Sequence, residues 1–248
     1  MDITWKDYKE IASEQIESDG SFIYRGQRDA KWALVSSLMR TDLVWSLNDF
    51  QGYFNYVLPE VKEKVQAWEG RDWDLTNTLG LAEFVAYLQH NGFPTPLLDW
   101  TFSPYIAAYF AFESVDHFDP QCDKVAVYGF NQMAWGRKYR QEYDIAYANS
   151  HVSVLRPRMV GNHKMALQQG CFTFSNARDI EEHILAHETD EDKYLTKYCF
   201  SVEEKPKIIK ELSLMGISAV QLMPSVESVC KKALNDLIGL QPVGRRSV

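Results

Sequence analysis

The sequence predicts a single α+β domain, because helical patterns dominate its first half and strand patterns its second. Its 248 residues are 46% apolar and 24% charged, which is the composition of a globular protein with a core of useful size. No repeat, low-complexity tract or Gly/Ser linker divides the chain. We therefore expect one domain over residues 1–248, with a helix-rich N-terminal half and a mixed or antiparallel sheet.

Apolar residues of the first half recur at helical spacing. They predict helices over residues 3–17, 41–69 and 76–88. Pro59 and the pair Gln51-Gly52 weaken the middle of the second helix, and Asn91-Gly92 offers a left-handed cap to the third. The pair Ser103-Pro104, an N-cap residue and a proline, opens a further helix that runs through about Phe112.

The triplet Phe22-Ile23-Tyr24 is β-prone, and the polar residues 25–29 should break it. Runs in the second half predict strands over residues 124–130, 170–174, 193–202 and 217–222. A helix over residues 205–215 precedes the last strand, and a C-terminal helix over about 224–238 follows it. The sequence contains no GxGxxG or Walker-type loop, which argues against hydride transfer or nucleotide-dependent switching on the common doubly wound folds.

A net charge of −8 and a pI near 5.3 argue against a general nucleic-acid coat or a basic membrane-surface protein. No apolar run approaches the ~18 residues of a membrane span, and MDITWKDYKE lacks the layout of a signal peptide. The four cysteines form no CxxC pair, which argues against a disulfide scaffold or a structural zinc site. We expect a cytoplasmic protein that makes no membrane contact.

The tetrapeptide Tyr24-Arg25-Gly26-Gln27 is the first candidate for a site. An arginine can hold a phosphate or a carboxylate through two hydrogen bonds. The glycine after it lets a ligand approach the backbone closely. The alternative interpretation is an exposed turn with a solvated arginine.

A dense run of polar and aromatic residues between two predicted helices, residues 89–104, is the second candidate. Its side chains could line a ligand site at a strand-to-helix junction, where the first amides of the helix could bind an anion. The residues singled out are His90, Asp99, Trp100, Thr101 and Ser103. Structural roles are the alternative: the serine could cap the helix, the aspartate could brace the turn, and the histidine could be a half-buried ring.

Two basic clusters in this acidic chain, residues 137–140 and 156–164, form the third candidate. They could face an anionic substrate at the edge of a cleft, with Asn162 and Gln169 reading an amide or a base edge. Gly170 would let the following strand approach a ligand. The alternative is solvated loop charge.

Metal and hydrolase chemistry have weak support. His183 and His187 stand four residues apart, a spacing that could ligate a metal on a helix. Their acidic neighbours favour a solvated helical face, so we expect no metal site. The sequence has no GxSxG elbow, and Cys171 falls on an apolar strand, which argues against a nucleophilic hydrolase.

Four segments, in this order, resemble the FRG domain: YRGQ, QHNGFPTPLLDWTFSPYIAAYFAFE, MALQQGCFTFS and GISAVQLMPSVESV. The resemblance extends over about residues 20–235. Many members of this family occur in bacterial and phage-defence settings, and the family is largely of unknown function. It usually has an arginine before LLDW, where this sequence has Pro96. If that arginine binds a ligand phosphate, the role is lost here or has moved to a neighbour such as Arg28 or Arg40.

The sequence is also similar, less closely, to ADP-ribosyltransferases of the Arg-Ser-Glu type. Arg25 matches their first-strand arginine, and Thr101-Phe102-Ser103, followed by AAYFA, matches their S-T-S and the helix after it. The letters differ, since this sequence reads WTFS. The resemblance implies a cleft for NAD, in which the arginine contacts the pyrophosphate or fixes the ribose and the hydroxyls hold the nicotinamide ribose.

Cleavage of the nicotinamide–ribose bond calls for a carboxylate, because positive charge develops on the ribose. Glu227 is the first choice, since it follows the last predicted strand, and Glu181 and Glu182 come next. Three rings could stack on the nicotinamide: Tyr24, Trp100 and Phe102.

The leading hypothesis is an NAD-using ADP-ribosyltransferase-like enzyme or NAD glycohydrolase that acts as a bacterial toxin or antiphage defence effector. Its catalytic residues would be Arg25, Thr101, Ser103 and Glu227. Its cofactor-binding residues would be Tyr24, Gly26, Gln27, His90, Asp99, Trp100 and Gln169. The alternative is a non-catalytic module that binds a nucleotide or a nucleic-acid end in the same cleft, and the third hypothesis is a scaffold without a small-molecule site. Partners would be a small-molecule nucleotide or a macromolecular acceptor, and a partner protein.

Overall fold

The computed structural model of the protein describes residues 1–17, 22–41, 43–113, 115, 122–145, 149–157 and 163–237. Its strands are β1 (Phe22–Gln27), β2 (Leu97–Thr101), β3 (Lys124–Asn131), β4 (Val152–Leu155), β5 (Gly170–Ser175) and β6 (Leu195–Ser201). They form one antiparallel sheet in the order β4-β5-β2-β1-β3-β6. The predicted α+β class and antiparallel sheet are confirmed.

Helices surround this sheet. In chain order they are α1 (Trp5–Glu17), α2 (Leu47–Gly52), α3 (Leu58–Glu69), α4 (Thr78–His90), α5 (Pro104–Glu113), α6 (Gln132–Lys138), α7 (His163–Leu167), α8 (Ile180–Leu185), α9 (Lys205–Leu214), α10 (Ala219–Leu222) and α11 (Val226–Leu237). A π-helical segment, Tyr53–Val57, joins α2 to α3, and 3₁₀ turns lie at Met39–Thr41 and Val202–Glu204. Within the described residues, no helix has the length and apolar character needed to cross a membrane.

Local signals set several helix ends. Gly92, just after α4, has a φ of +82°, as the predicted left-handed cap requires. At the start of α5, Ser103 Oγ accepts a hydrogen bond from the Ile106 N–H at 3.2 Å. Both predicted caps are therefore present, because each depends only on residues a few positions apart.

The helix predicted over residues 41–69 begins later than expected. Ser46 caps α2 reciprocally: its Oγ accepts from the Asp49 N–H at 3.2 Å, and the Asp49 carboxylate accepts from the Ser46 N–H at 2.9 Å. The pair Gln51-Gly52 and Pro59 do not break the helix, because the chain passes between them as a π-helical segment.

Strand β1 does not break at Arg25, contrary to the sequence prediction. It continues to Gln27 and pairs with β3 along its whole length, so that Arg25 lies opposite Tyr128 and Gly26 opposite Val127. Cross-strand pairing overrides the weak strand preference of the polar residues.

The strand predicted over residues 217–222 is wrong. Ala219–Leu222 is the short helix α10, in which the Leu222 N–H donates to the Ser218 carbonyl at 3.0 Å. Ala219 and Leu222 are both buried, and their three-residue spacing belongs to one face of a helix. The sequence patterns also did not predict β4, α6, α7 and α8. Residue 238, the predicted end of the last helix, lies outside the described residues.

Helices cover both faces of the sheet in three groups. On one face, α1, α5 and α9 pack over β1, β3 and β6, whereas α2, α3 and α4 pack over β2 and β5. The opposite face is covered by α6 and α8. Tyr24 and Thr101 lie opposite each other, so they share the first face with Leu97 and Asp99 of β2. Leu97 and Thr101 are buried and Asp99 is exposed, which places the gap between the two helix groups over Asp99.

Gly26 sets how closely α5 approaches the sheet. A Cβ atom at this position would lie 2.0 Å from the Ala107 carbonyl oxygen and 2.6 Å from the Ala111 nitrogen. Backbone atoms of a packed helix cannot yield as a flexible side chain can, so any side chain here would push α5 away. The sequence predicts a glycine that admits a ligand, and the structure places the α5 backbone against it.

A small cluster of rings under the second face contains the histidine pair. The rings of His183 and His187 lie 4.6 Å apart, and both contact the buried Trp135. Burial, followed by the nearby His187 and His151, lowers the pKa of His183 to about 4. The pair is half-buried and not a solvated helical face. In the part of the chain that the structure describes, no three His, Cys, Asp or Glu side chains form a group that could hold a metal ion.

Replacing Gly26 with alanine should lower the free energy of unfolding by about 2 kcal/mol or more, because the added Cβ overpacks against backbone. Gly52→Ala is the matched control, since the nearest atom to its added Cβ is Tyr56 Cδ2 at 4.0 Å. In that helix alanine should be neutral or stabilising by up to about 1 kcal/mol. Denaturant unfolding compares the two variants, and equal stability would contradict the close packing of α5.

The His183 pKa also predicts loss of stability in acid. Its folded-state pKa of about 4 lies below the ordinary value of 6.5, so the unfolded chain binds the proton first as the pH falls. The free energy of unfolding should therefore drop between about pH 6.5 and pH 4, by about 1–2 kcal/mol for this partly solvated ring. Urea unfolding measures the free energy of unfolding across this range. In His183→Gln this free energy should change less with pH than in the natural protein, and an unchanged pH dependence would contradict the assignment.

Candidate functional site

The sheet is barely paired between β1 and β2. These strands pair at one position, Tyr24 with Thr101, whereas β1 and β3 pair at six. Next to that single pair, Arg25 Nη1 donates a hydrogen bond to the Asp99 carbonyl at 2.8 Å. A side chain therefore makes the connection that the two backbones do not make.

The guanidinium of Arg25 has lost much of its contact with water. Desolvation lowers the pKa of Arg25, the Asp99 carboxylate raises it, and the positive charge of Arg40 lowers it. An arginine starts from so high a pKa that the group keeps its charge at neutral pH. Its Nε is buried and has no hydrogen-bond partner among the described residues. An oxygen atom of a ligand could satisfy this donor.

A cleft of about 420 Å³ lies between α4, α7 and the strands β2 and β5. Four ionisable side chains line it, namely Arg40, His90, Asp99 and Lys164. Apolar contacts come from Phe93, Phe172 and Met223. The volume and the mixed lining are those of a small-molecule site.

A second cleft of about 280 Å³ lies at the gap between β1 and β2, beside α5. Its lining includes Tyr24, Arg25, Gly26, Trp100, Thr101 and Phe110. Asp99 and Gln168 line both clefts, so the two adjoin at these side chains. We call them the cationic cleft and the aromatic cleft.

Positive charge predominates in the cationic cleft. Arg40 and Lys164 are exposed there, and Arg40 Nη1 donates to the Val35 carbonyl at 2.7 Å, which fixes the base of the guanidinium. Burial and then Lys164 lower the pKa of His90, while Asp99 raises it. Among the described residues that line this cleft, two exposed cations, Arg40 and Lys164, stand against one carboxylate, in a chain whose net charge is −8.

Residues 20–120 match the family model of the FRG domain. The chain contains an FRG domain. The matched residues include β1, α4, β2 and α5, and so both Arg25 and Asp99, whereas Lys164 and Gln168 of the same clefts lie beyond them. No curated protein and no solved structure matches the chain.

The FRG domain of this chain has Pro96 at the position of the usual arginine, and the structure separates the two candidate replacements. Arg40 lines the cationic cleft. Arg28 packs over the Trp32 ring, 5.4 Å from its centroid, and lines neither cleft. Of the two candidates, Arg40 therefore places a positive charge in a cleft.

Many of the predicted site residues of the FRG domain come together. The aromatic cleft contains Tyr24, Arg25, Gly26, Asp99, Trp100 and Thr101, and the cationic cleft adds His90. The Trp100 indole is itself buried and donates to Thr173 Oγ1 at 3.0 Å, which leaves it no free face for a nicotinamide. Tyr24 is as buried as Trp100, so Phe110 is the partly exposed ring of this cleft.

The two predicted hydroxyls brace the turn between β2 and α5. Thr101 Oγ1 donates to the Gln168 carbonyl at 2.7 Å and accepts from the Ser103 N–H at 3.1 Å. Ser103 caps α5 and lines neither cleft. Of the two, Thr101 alone reaches a cleft wall.

Two predicted ligand-binding amides lie outside both clefts. Gln27 is buried and its Nε2 donates to the Trp32 carbonyl at 2.9 Å. Gln169 is exposed, with a φ of 49°, and its carbonyl accepts from the Phe102 N–H at 3.0 Å. Its neighbour Gln168 lines both clefts instead.

The predicted carboxylates also lie elsewhere. Glu227 is exposed in the first turn of α11, and the strand that would have positioned it is a helix. Glu181 accepts a hydrogen bond from Tyr128 Oη at 2.7 Å, and Glu182 is exposed on α8. None of them lines either cleft, whereas Asp99 lines both.

The basic clusters are only partly at the site. Lys138 pairs with Asp192 at the surface, and the exposed Arg140 pairs at 3.4 Å with the buried Glu142, away from both clefts. Residues 158–162, and with them Asn162, lie outside the described residues. Lys164 is the member of these clusters that the structure places in the cationic cleft.

Gln89 and Gln168 are the cleft residues that the sequence prediction did not single out. Gln89 Nε2 donates to Asp99 Oδ2 at 2.8 Å, and Gln168 lies in the shared wall of the two clefts. Both stand inside the segments QHNGF and MALQQG that resemble the family. The position of both glutamines inside these motif segments was the available signal.

Proposed function

We propose that the adjoining clefts of this FRG-domain protein bind an anionic nucleotide, and that NAD is the ligand to test first. The observation that supports this proposal is a cationic cleft and an aromatic cleft that share one wall at Asp99 and Gln168. A nucleotide has both parts, a phosphate and a ring, at a fixed distance from each other.

The phosphates belong in the cationic cleft. Arg40 and Lys164 present charged donors there, and hydrogen bonds from cations to phosphate oxygens are among the strongest in proteins. A base or nicotinamide belongs in the aromatic cleft, against the partly exposed ring of Phe110. Arg25, whose Nη1 donates to the Asp99 carbonyl, adds a third positive charge beside the two clefts.

Reversing the charge of the cationic cleft should weaken NAD binding. Arg40→Glu and Lys164→Glu should each raise the Kd about tenfold or more, because each removes a charged hydrogen bond to phosphate. Lys210→Glu is the matched control, since this exposed residue of α9 lines neither cleft and gives the same change in net charge.

Calorimetric titration of the four proteins decides this prediction. Equal affinity in all of them would contradict phosphate binding by Arg40 and Lys164. Absence of NAD binding by the natural protein would overturn NAD as the ligand, and binding of a short oligonucleotide instead would favour the alternative, recognition of a nucleic-acid end.

A second candidate function is transfer of ADP-ribose from NAD, or hydrolysis of NAD, and Asp99 favours it. In such a reaction the bond between ribose C1′ and nicotinamide breaks, and nicotinamide leaves with the electron pair. Water or an acceptor group then bonds to C1′ and gives up a proton. A carboxylate near the ribose stabilises the positive charge that develops there. Asp99 is the carboxylate in the shared wall, so it takes the role first considered for Glu227.

Under this second proposal, Asp99→Asn should reduce release of nicotinamide from NAD by about a hundredfold or more, since it removes the stabilising charge with little change in size. Glu227→Gln should leave the rate unchanged, because Glu227 is exposed on α11 outside both clefts. A chromatographic assay of nicotinamide measures both. Loss of activity in Glu227→Gln, or full activity in Asp99→Asn, would contradict the assignment.

The proposals of a toxin or antiphage effector role, of a macromolecular acceptor and of a partner protein all follow from this second candidate. Each requires that NAD cleavage be found first, because an effector of this kind acts either by consuming NAD or by attaching ADP-ribose to a target.

A further inference from the structure

A chain of hydrogen bonds through Gln89 and Thr95 orients the Asp99 carboxylate. Gln89 Nε2 donates to Asp99 Oδ2 at 2.8 Å, and Thr95 Oγ1 donates to Gln89 Oε1. Thr95 is fully buried, and its own N–H donates to Ser37 Oγ at 2.9 Å. Because the Asp99 carboxylate and the Leu97 carbonyl, which lies 3.4 Å from Gln89 Nε2, can only accept hydrogen bonds, the NH₂ group of Gln89 points to them and its oxygen to Thr95.

This arrangement leaves acceptor capacity on Asp99. A carboxylate accepts about four hydrogen bonds, and Gln89 supplies one of them, at Oδ2. Arg25 donates to the carbonyl of Asp99 and not to its carboxylate. Within the described ranges, no lysine, arginine or histidine forms an ion pair with the Asp99 carboxylate. The side chain is exposed, so its remaining acceptor sites face the two clefts.

The charge of Asp99 restricts what it can recognise. It stands between two clefts in which Arg40, Lys164 and Arg25 attract anions, yet it repels a phosphate itself. A negative group at this point suits a hydrogen-bond donor on the ligand. In a nucleotide, the donors between the phosphates and the ring are the hydroxyls of the ribose.

We propose that Asp99 recognises a ribose hydroxyl of the bound nucleotide and that Gln89 is a positioning residue that aims its carboxylate. This inference rests on the proposed function, nucleotide binding across the two clefts. It adds a sugar specificity: the protein prefers ribonucleotides to their deoxy analogues, whether or not any bond is cleaved.

The test is calorimetric titration with NAD and with NAD analogues that lack the 2′- or the 3′-hydroxyl on either ribose. The natural protein should bind at least one analogue about tenfold to a hundredfold more weakly than NAD, which is the effect of losing one hydrogen bond to a charged group. Asp99→Ala should bind NAD and that analogue equally. Asp190→Ala, which changes an exposed aspartate between α8 and β6, is the control and should discriminate like the natural protein.

The outcomes separate the two proposals. Equal binding of NAD and all four analogues by the natural protein would overturn the hydroxyl inference and leave nucleotide binding intact. If Asp99→Ala still bound NAD more tightly than the deoxy analogue, the hydroxyl inference would likewise be overturned and nucleotide binding would be left intact. If NAD itself did not bind, the proposed function and this inference would both be overturned.

Two further variants test the positioning role of Gln89. Gln89→Leu keeps the size of the side chain and removes its donors, so discrimination against the deoxy analogue should fall by about tenfold. Gln89→Glu places a second carboxylate next to Asp99, so one of the two binds a proton as the pH falls and discrimination becomes dependent on pH between about 5 and 8. Full discrimination in Gln89→Leu, or a flat pH profile in Gln89→Glu with the fold intact by circular dichroism, would contradict the positioning role.

Discussion

The hydrogen bond from Arg25 to the Asp99 carbonyl holds together the weakest junction of the sheet. On one side of it, β1, β3 and β6 form a well-paired unit, and on the other β2, β5 and β4 form a second. The two units share one backbone pairing, Tyr24 with Thr101. The clefts open at this junction. Arg25 therefore contributes to the site in two ways, by connecting the two strands and by its positive charge. An arginine can do this because its planar fork reaches a carbonyl while staying ionised in a poorly solvated place.

The helices follow the same division. Each half of the sheet carries its own helix group on the first face, and the strip between the groups is left open over Asp99. Gly26 brings α5 against β1, and Ser103 fixes where that helix begins, so two letters of the motif set the edge of the aromatic cleft. Some motif residues therefore shape the cleft through the backbone, whereas others, such as Arg25 and Asp99, line it with charged groups.

The site is rich in positive charge, although the whole chain carries a net negative charge. A protein of net charge −8 collects Arg25, Arg40 and Lys164 around one pair of clefts, while other basic residues such as Lys138 are paired with acids at the surface. Concave walls of low dielectric strengthen the field of such a cluster, and this favours anions. Among the described residues that line the two clefts, Asp99 is the one carboxylate, and Gln89 donates a hydrogen bond to it.

The sequence by itself determined the fold class and the local signals of the helices: the α4 cap at Gly92, the α5 cap at Ser103, and the FRG motif with Arg25, His90 and Asp99. These features depend on residues close together in the chain, which a pattern can show. The tertiary structure decided the rest. It continued β1 through Arg25, because β3 pairs with it from a hundred residues away. It turned residues 219–222 into a helix, because two of its residues are buried three positions apart. It also placed Arg40 and Asp99 in the clefts and left Arg28 and Glu227 outside them. Only the packing of elements distant in the chain determines which charged side chains share a cavity.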